Sequence, residues 1–97
     1  MDDIFNFLNR TFEDGHTVLS GKGKIEGYAF DGDSISGLLR LKTGKTFDYS
    51  ITSFDSQLDK FTLKIKQDNR HSTRQDLTTA EVIDIFKTGD LPIFQDA

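Results

Sequence analysis

The first apolar positions of the chain follow the period of an α-helix. Between residues 2 and 14 they recur at spacings of three and four, which places them on one stripe of a helix. The stripe consists of Ile4, Phe5, Leu8 and Phe12. Asp2 or Asp3 suits the positive end of the helix dipole, and Gly15 suits a left-handed stop. The pattern therefore predicts an N-terminal helix.

The middle of the chain alternates between apolar and polar residues, which is the period of a strand with one buried face. The alternation is clearest over residues 46–52 and 60–66. Earlier strand segments are predicted around Val18 and Leu19, over residues 25–30, and over residues 34–42. Turns are predicted at residues 31–34, 43–45 and 55–59. Such short links cannot hold parallel crossovers, so the pattern predicts an antiparallel meander of four or five strands.

Residues 66–76, KQDNRHSTRQD, contain no large apolar side chain. They follow the clearest strand and precede a helix, so they are predicted to form a connector. Connectors usually have about four to six residues. The extra length leaves room for a binding role.

The last helix has the strongest local signals. Thr78 and Glu81 have capping-box spacing, and Gly89 followed by Pro92 marks the end of the helix. Beyond it lies an apolar tail that packs back on the core, adds an edge strand or contacts another chain. The tail consists of Leu91, Ile93 and Phe94.

These elements predict a single domain over residues 1–97. Its fold class is α+β, a two-layer sandwich in which an N-terminal helix, a four- to five-stranded antiparallel meander and a C-terminal helix follow one another, with both helices on one sheet face. Apolar residues make up 35% of the chain and include nine Phe, enough to close one core.

Composition then removes several classes of chemistry. The chain has no Cys, which excludes disulfides, thiolate catalysis and Cys-based zinc sites and is consistent with a cytoplasmic protein. The start of the chain has acidic residues where a signal peptide has basic ones, and no stretch approaches the roughly 18 apolar residues of a membrane span.

Catalytic and metal motifs are not found either. His16 and His71 are far apart and lack metal-ligand spacing, and no nucleophile motif of the G-x-S-x-G type is present. The turn at residues 31–34 lacks the ligand positions of an EF-hand, and the glycines of residues 21–27 do not have phosphate-loop spacing. We therefore expect a protein that is not an enzyme, with no cofactor, no metal and no catalytic residue.

The formal net charge is −4, but the charge is unevenly distributed. Residues 1–35 carry three basic and seven acidic residues, residues 36–76 carry eight and five, and residues 77–97 carry one and four. The basic middle predicts a candidate binding surface on the outward sheet face and at the edge beyond it. Its members are Lys60, Lys64, Lys66, Arg70, His71, Arg74, Arg40, Lys42, Tyr28 and Phe30, with Lys24 and Leu38 on the same outward face.

Two functional hypotheses remain. The first is a small non-enzymatic protein-binding module that inhibits or regulates a partner, by analogy with immunity proteins and with phage or mobile-element accessory proteins. In that case an acidic surface at the two ends of the chain meets a basic partner. The alternative is nucleic-acid binding through the Lys-rich sheet face and the 66–76 segment, with exposed rings that stack on bases. A homodimer through a sheet edge or through the C-terminal tail is a further expectation.

Overall fold

The computed structural model describes residues 2–55 and 59–95. Five antiparallel strands form one open sheet in chain order, β1-β2-β3-β4-β5, and the helices pack on one of its faces. The elements are α1 (Asp2–Asp14), β1 (Gly23–Asp31), β2 (Ser34–Leu41), β3 (Thr46–Asp55), β4 (Lys60–Gln67), β5 (Arg70–Leu77), α2 (Thr79–Thr88) and α3 (Pro92–Gln95). The predicted α+β class and the meander are confirmed. None of the described helices has the length and apolar character needed to cross a membrane.

The core lies between the sheet and the helices, as the alternating pattern requires. Ile4 and Leu8 of α1 and Val82 and Phe86 of α2 are buried against the sheet. The buried sheet residues alternate with exposed ones, and they include Ile25, Ile35, Leu39, Phe47, Tyr49, Ile51, Phe61, Leu63 and Ile65. One face of the sheet is therefore apolar and covered, and the other is polar.

The apolar stripe of α1 is rotated relative to the prediction. Thr11 is buried and donates a hydrogen bond from Oγ1 to the carbonyl oxygen of Phe7, whereas Phe12 remains 44% exposed. Phe5 and Phe12 lie on the flank of the helix that faces β1, where both rings contact Tyr28.

Both ends of α2 form as predicted. Thr78 Oγ1 accepts a hydrogen bond from the Glu81 amide, and Glu81 Oε1 accepts one from the Thr78 amide. At the other end Gly89 adopts φ 67°, and its amide donates to the carbonyl of Ile85. These two caps are local, so the sequence alone specifies them.

Asp59 adds a second link at the start of α2. Its Oδ1 accepts hydrogen bonds from the Thr79 hydroxyl at 2.6 Å and from the Thr79 amide at 2.8 Å. Both bonds favour the ionised carboxylate, and they lower the pKa of Asp59. The start of β4 is thereby tied to the first turn of α2. The predicted turn at residues 55–59 includes residues 56–58, which lie outside the described residues.

The strand segment predicted around Val18 and Leu19 is a turn joined to β1 by a single bridge from Val18 to Gly23. Leu19 and Ser20 have φ near +55°, which is unfavourable for residues with a side chain. Their amides donate to the carbonyls of Phe86 and Lys87 at the end of α2. These hydrogen bonds satisfy the last carbonyls of the helix and offset the backbone strain.

The apolar tail after α2 packs back on the core, which is one of the three expected arrangements. Leu91, Ile93 and Phe94 are all at most 7% exposed, and the Phe94 ring contacts the Phe47 ring edge-to-face at 5.1 Å. The apolar side chains of the tail are therefore already used within the chain, and a homodimer through the tail stays a prediction.

The interpretation of residues 66–76 as a connector is wrong. The segment contains the end of β4, a two-residue turn at Asp68 and Asn69, and most of β5. Asp68 has φ 51°, a conformation that Asp tolerates better than most residues. β5 is an edge strand in which Leu77 is the one buried residue. It pairs with β4 through its backbone, so it does not need the apolar residues by which a strand is recognised in the sequence.

An extra residue in β1 reverses which face its side chains occupy. Ile25 pairs with Leu39, but Gly27 pairs with the next residue, Leu38, so that Glu26 is inserted as a β-bulge. Beyond the bulge, Tyr28 and Phe30 share a face with the core residues of β2 rather than with the polar face.

Gly37 lies in β2 on the helix side of the sheet, between β1 and β3. It is paired with Tyr28 on one side and with Tyr49 on the other. A Cβ at this position would overlap the carbonyl oxygen of Gly27 and would lie 2.6 Å from Tyr49 Oη and 2.8 Å from Tyr28 Cα. The two tyrosines therefore occupy the space that a side chain at Gly37 would need.

Replacing Gly37 by Ala should destabilise the protein by about 3 kcal/mol, the upper part of the usual range for an overpacked site. Gly27→Ala is the matched control, because a Cβ at Gly27 meets nothing within 4 Å. We expect the control to change the free energy of unfolding by less than about 0.5 kcal/mol. Urea denaturation of both variants measures the difference, and equal stabilities would contradict the proposed close approach.

Candidate functional site: a groove across the polar sheet face

The polar face of the sheet, opposite the helices, contains a groove of about 900 Å³. Two rows of cross-strand neighbours line it, each contributed by all five strands. The row that we call the hydroxyl row consists of Ala29, Ser36, Ser50, Lys64 and Thr73. The row that we call the charged row consists of Gly27, Leu38, Asp48, Lys66 and His71.

Small side chains keep the part of the groove formed by β1, β2 and β3 open. Ala29, Ser36 and Ser50 follow one another in the hydroxyl row, and Gly27 has no side chain at the end of the charged row. The bulge at Glu26 is what places Gly27 and Ala29 on this face. Without the bulge, Gly27 and Ala29 would point toward the core as Ile25 does, because alternate residues of a strand share a face.

The two ends of the groove differ in chemistry. Lys64, Lys66 and His71 lie at the end formed by β4 and β5, whereas Ala29 and Leu38 lie at the end formed by β1 and β2. Within the described part of the chain, neither lysine takes part in an ion pair. The groove therefore offers free cations at one end and apolar surface at the other.

Asp48 lies directly opposite Lys66 in the charged row, and His71 lies on the other side of Lys66. Strands are spaced about 4.8 Å apart, so Asp48 and His71 are separated by about 10 Å. That distance is too long for a hydrogen-bonded acid–base pair. Among residues 2–55 and 59–95, no group of three or more His, Cys, Asp or Glu side chains is arranged to hold a metal ion.

The groove brings together three of the predicted site residues, Lys64, Lys66 and His71. Lys60 is exposed on the same sheet face but outside the groove. Arg70 is exposed at the start of β5. Arg74 pairs with Leu63 and lies near Asp90 in a separate surface hollow. The predicted basic surface is thus divided among several places.

Arg40 and Lys42 lie at the other end of the polar face. The Arg40 guanidinium donates two hydrogen bonds to the carboxylate of Glu26, at 2.8 and 3.1 Å. The hydrogen bonds and the charge of Glu26 raise the pKa of Arg40. Lys42 is in the turn after β2, where its amide donates to the carbonyl of Lys22. Arg40 is already engaged with a carboxylate of its own chain.

The prediction that Tyr28 and Phe30 are on the outward face is wrong, because the bulge turns them toward α1. Tyr28 borders the groove through its strand, but its ring contacts Phe5 and Phe12, and its hydroxyl donates to Asn9 Oδ1. Phe30 contacts Phe5. The groove therefore lacks the two rings on which the nucleic-acid hypothesis depended.

Four polar groove residues, namely Ser36, Asp48, Ser50 and Thr73, are not among the predicted site residues. The alternation of β3 already places Asp48 and Ser50 on the polar face. Nothing in the sequence indicates which residues of β2, β4 and β5 lie beside them, because that depends on the strand register. Because the sequence pattern predicts most of β5 as a connector, it cannot place residues of β5 in either row.

Comparison of the chain with protein-family models, with curated protein sequences and with solved structures finds no match.

Tyr49 lies beneath the groove on the helix side, and burial raises the pKa of its hydroxyl. Within the described residues this hydroxyl has no hydrogen-bond partner. Tyr49→Phe removes an unpaired buried polar group, so we expect it to leave stability unchanged or to raise it by about 1 kcal/mol. Urea denaturation measures this. A loss of more than about 1 kcal/mol would show that the hydroxyl is bonded.

Proposed function

We propose that the chain is a small, non-enzymatic protein-binding module that regulates or inhibits a partner, and that its groove takes an acidic segment of that partner. The observation that carries this proposal is the groove itself, with free cations at one end and apolar surface at the other. The absence of Cys suits action in the cytoplasm.

The dimensions of the groove favour an extended segment. Its two rows cross five strands, a width of about 19 Å at the usual strand spacing. An extended chain advances about 3.3 Å per residue, so about six residues fit across the sheet. Ser36, Ser50 and Thr73 add hydroxyls that can donate to or accept from the backbone of such a segment.

The charges favour an acidic segment with an apolar side chain at one end. Lys64 and Lys66 supply ammonium groups for carboxylates, and Leu38 supplies apolar contact. Asp48 faces the middle of the groove, where it disfavours a second carboxylate. A partner with carboxylates at one end only would fit this distribution.

The alternative function is nucleic-acid binding by the exposed lysines of this face, Lys24, Lys60, Lys64 and Lys66. Single strands are usually held by rings as well as by cations. Because Tyr28 and Phe30 face α1 and Arg40 is paired with Glu26, we favour the protein partner.

Fluorescence anisotropy with labelled six-residue peptides tests the proposal. A peptide of three Glu residues followed by three Leu residues should bind at about 50 mM salt, and one of alternating Lys and Ser should not. Lys64→Ala/Lys66→Ala should weaken binding by about tenfold or more, since two charge-assisted contacts are lost.

Lys24→Ala/Lys60→Ala is the matched control, because it removes the same charge from the same sheet face outside the groove. We expect it to change the affinity less than twofold. Equal losses in the two double variants would contradict a role for the groove. A labelled ten-nucleotide single strand that binds more tightly than the acidic peptide would favour the alternative function.

A further inference from the structure

A second surface lies on the helix side of the sheet, away from the groove. Four aromatic residues of α1 and β1 form a continuous set of edge-to-face contacts, with ring centres 5.4 to 5.8 Å apart. We call this set the edge cluster, and it consists of Phe5, Phe12, Tyr28 and Phe30. Edge-to-face geometry is the favourable one for aromatic pairs.

Two of the four side chains in the edge cluster are exposed to solvent. Phe12 is 44% exposed and Phe30 is 49% exposed, the two large apolar residues that stay exposed in the described part of the chain. The reason lies in the topology, since β1 is an edge strand and no further strand of the described residues lies beside it. Exposed aromatic side chains that are grouped in this way are typical of interaction surfaces.

Acidic residues border the edge cluster. Asp2, Phe5, Asn9 and Phe12 are spaced by three, four and three residues, so they lie on one side of α1. Tyr28 donates to Asn9, which confirms that this side faces β1. Glu13 lies one turn after Asn9 on the same side of α1, and both Asp2 and Glu13 are exposed. Basic Arg10 lies on a different side of the helix by the same spacing.

From this arrangement we infer that the edge cluster is a docking surface for a basic segment of another protein, one that carries apolar side chains between its basic residues. The apolar side chains cover Phe12 and Phe30, and the basic side chains meet Asp2 and Glu13. Aromatic residues are common anchors of interfaces, and complementary charge adds selectivity.

A symmetric dimer is a poorer occupant of this surface. It would bring Asp2 and Glu13 of one copy next to the same acidic residues of the other. Such like-charge contacts oppose association. The surface differs from the groove in position and in sign of charge, so the inference stands or fails independently of the proposed function.

Fluorescence anisotropy with a labelled peptide of alternating Lys and Leu tests the inference. The peptide should bind at about 50 mM salt, whereas alternating Lys and Ser should bind at least tenfold more weakly. Phe12→Ala/Phe30→Ala should weaken binding about tenfold, with circular dichroism used to confirm the fold. Asp2→Asn/Glu13→Gln, which leaves the aromatic contacts in place, should weaken it at least fivefold.

Asp76→Asn/Asp84→Asn is the control, because it makes the same change in net charge on β5 and α2. It should alter the affinity less than twofold. Equal binding of the Lys–Leu and Lys–Ser peptides, no binding of either, or equal losses in the two charge variants would overturn the inference. Sedimentation that shows self-association, abolished by Glu13→Gln and by Lys64→Ala alike, would identify a second copy as the occupant and would also overturn it.

Discussion

Two residues determine what each face of the sheet presents. One is Glu26, the inserted residue of β1, and the other is Gly37, which lies opposite β1 in β2. The bulge turns Tyr28 and Phe30 toward α1 and leaves Gly27 and Ala29 on the polar face. Gly37 then allows Tyr28 and Tyr49 to approach from both sides. A single change of phase in β1 therefore produces both the open floor of the groove and the aromatic contacts with α1.

Both ends of α2 are fixed by hydrogen bonds to segments that are distant in sequence. The turn after α1 donates from Leu19 and Ser20 to the last carbonyls of α2, and Asp59 accepts from Thr79 at its first turn. Both links bind the helix to segments far away in sequence. They hold α2 on the apolar face and leave the polar face uncovered.

Local signals predicted much of this fold, because they depend only on neighbouring residues. The capping box of Thr78 and Glu81 and the alternation of Phe47, Tyr49 and Ile51 are of this kind. The phase of β1 and the existence of β5 could not be predicted in the same way. A bulge depends on how two strands pair, and an edge strand that buries only Leu77 has no apolar period.

The residues of the candidate site divide in the same way between those that a local pattern indicates and those that depend on strand pairing. Lys64 and Lys66 were identified because β4 alternates so regularly. Their neighbours Ser50, Asp48, Thr73 and His71 become a site only through the register of β3, β4 and β5. The strand pattern alone places the rings of Tyr28 and Phe30 on the wrong face, because it does not reveal the extra residue in β1.

Proton NMR tests the phase of β1 most directly. The bulge in β1 predicts nuclear Overhauser contacts from the rings of Tyr28 and Phe30 to the ring of Phe5, and from Tyr28 to Phe12. Contacts from either ring to the side chains of Ser36 or Leu38 would place the rings on the polar face and would show that β1 lacks the bulge.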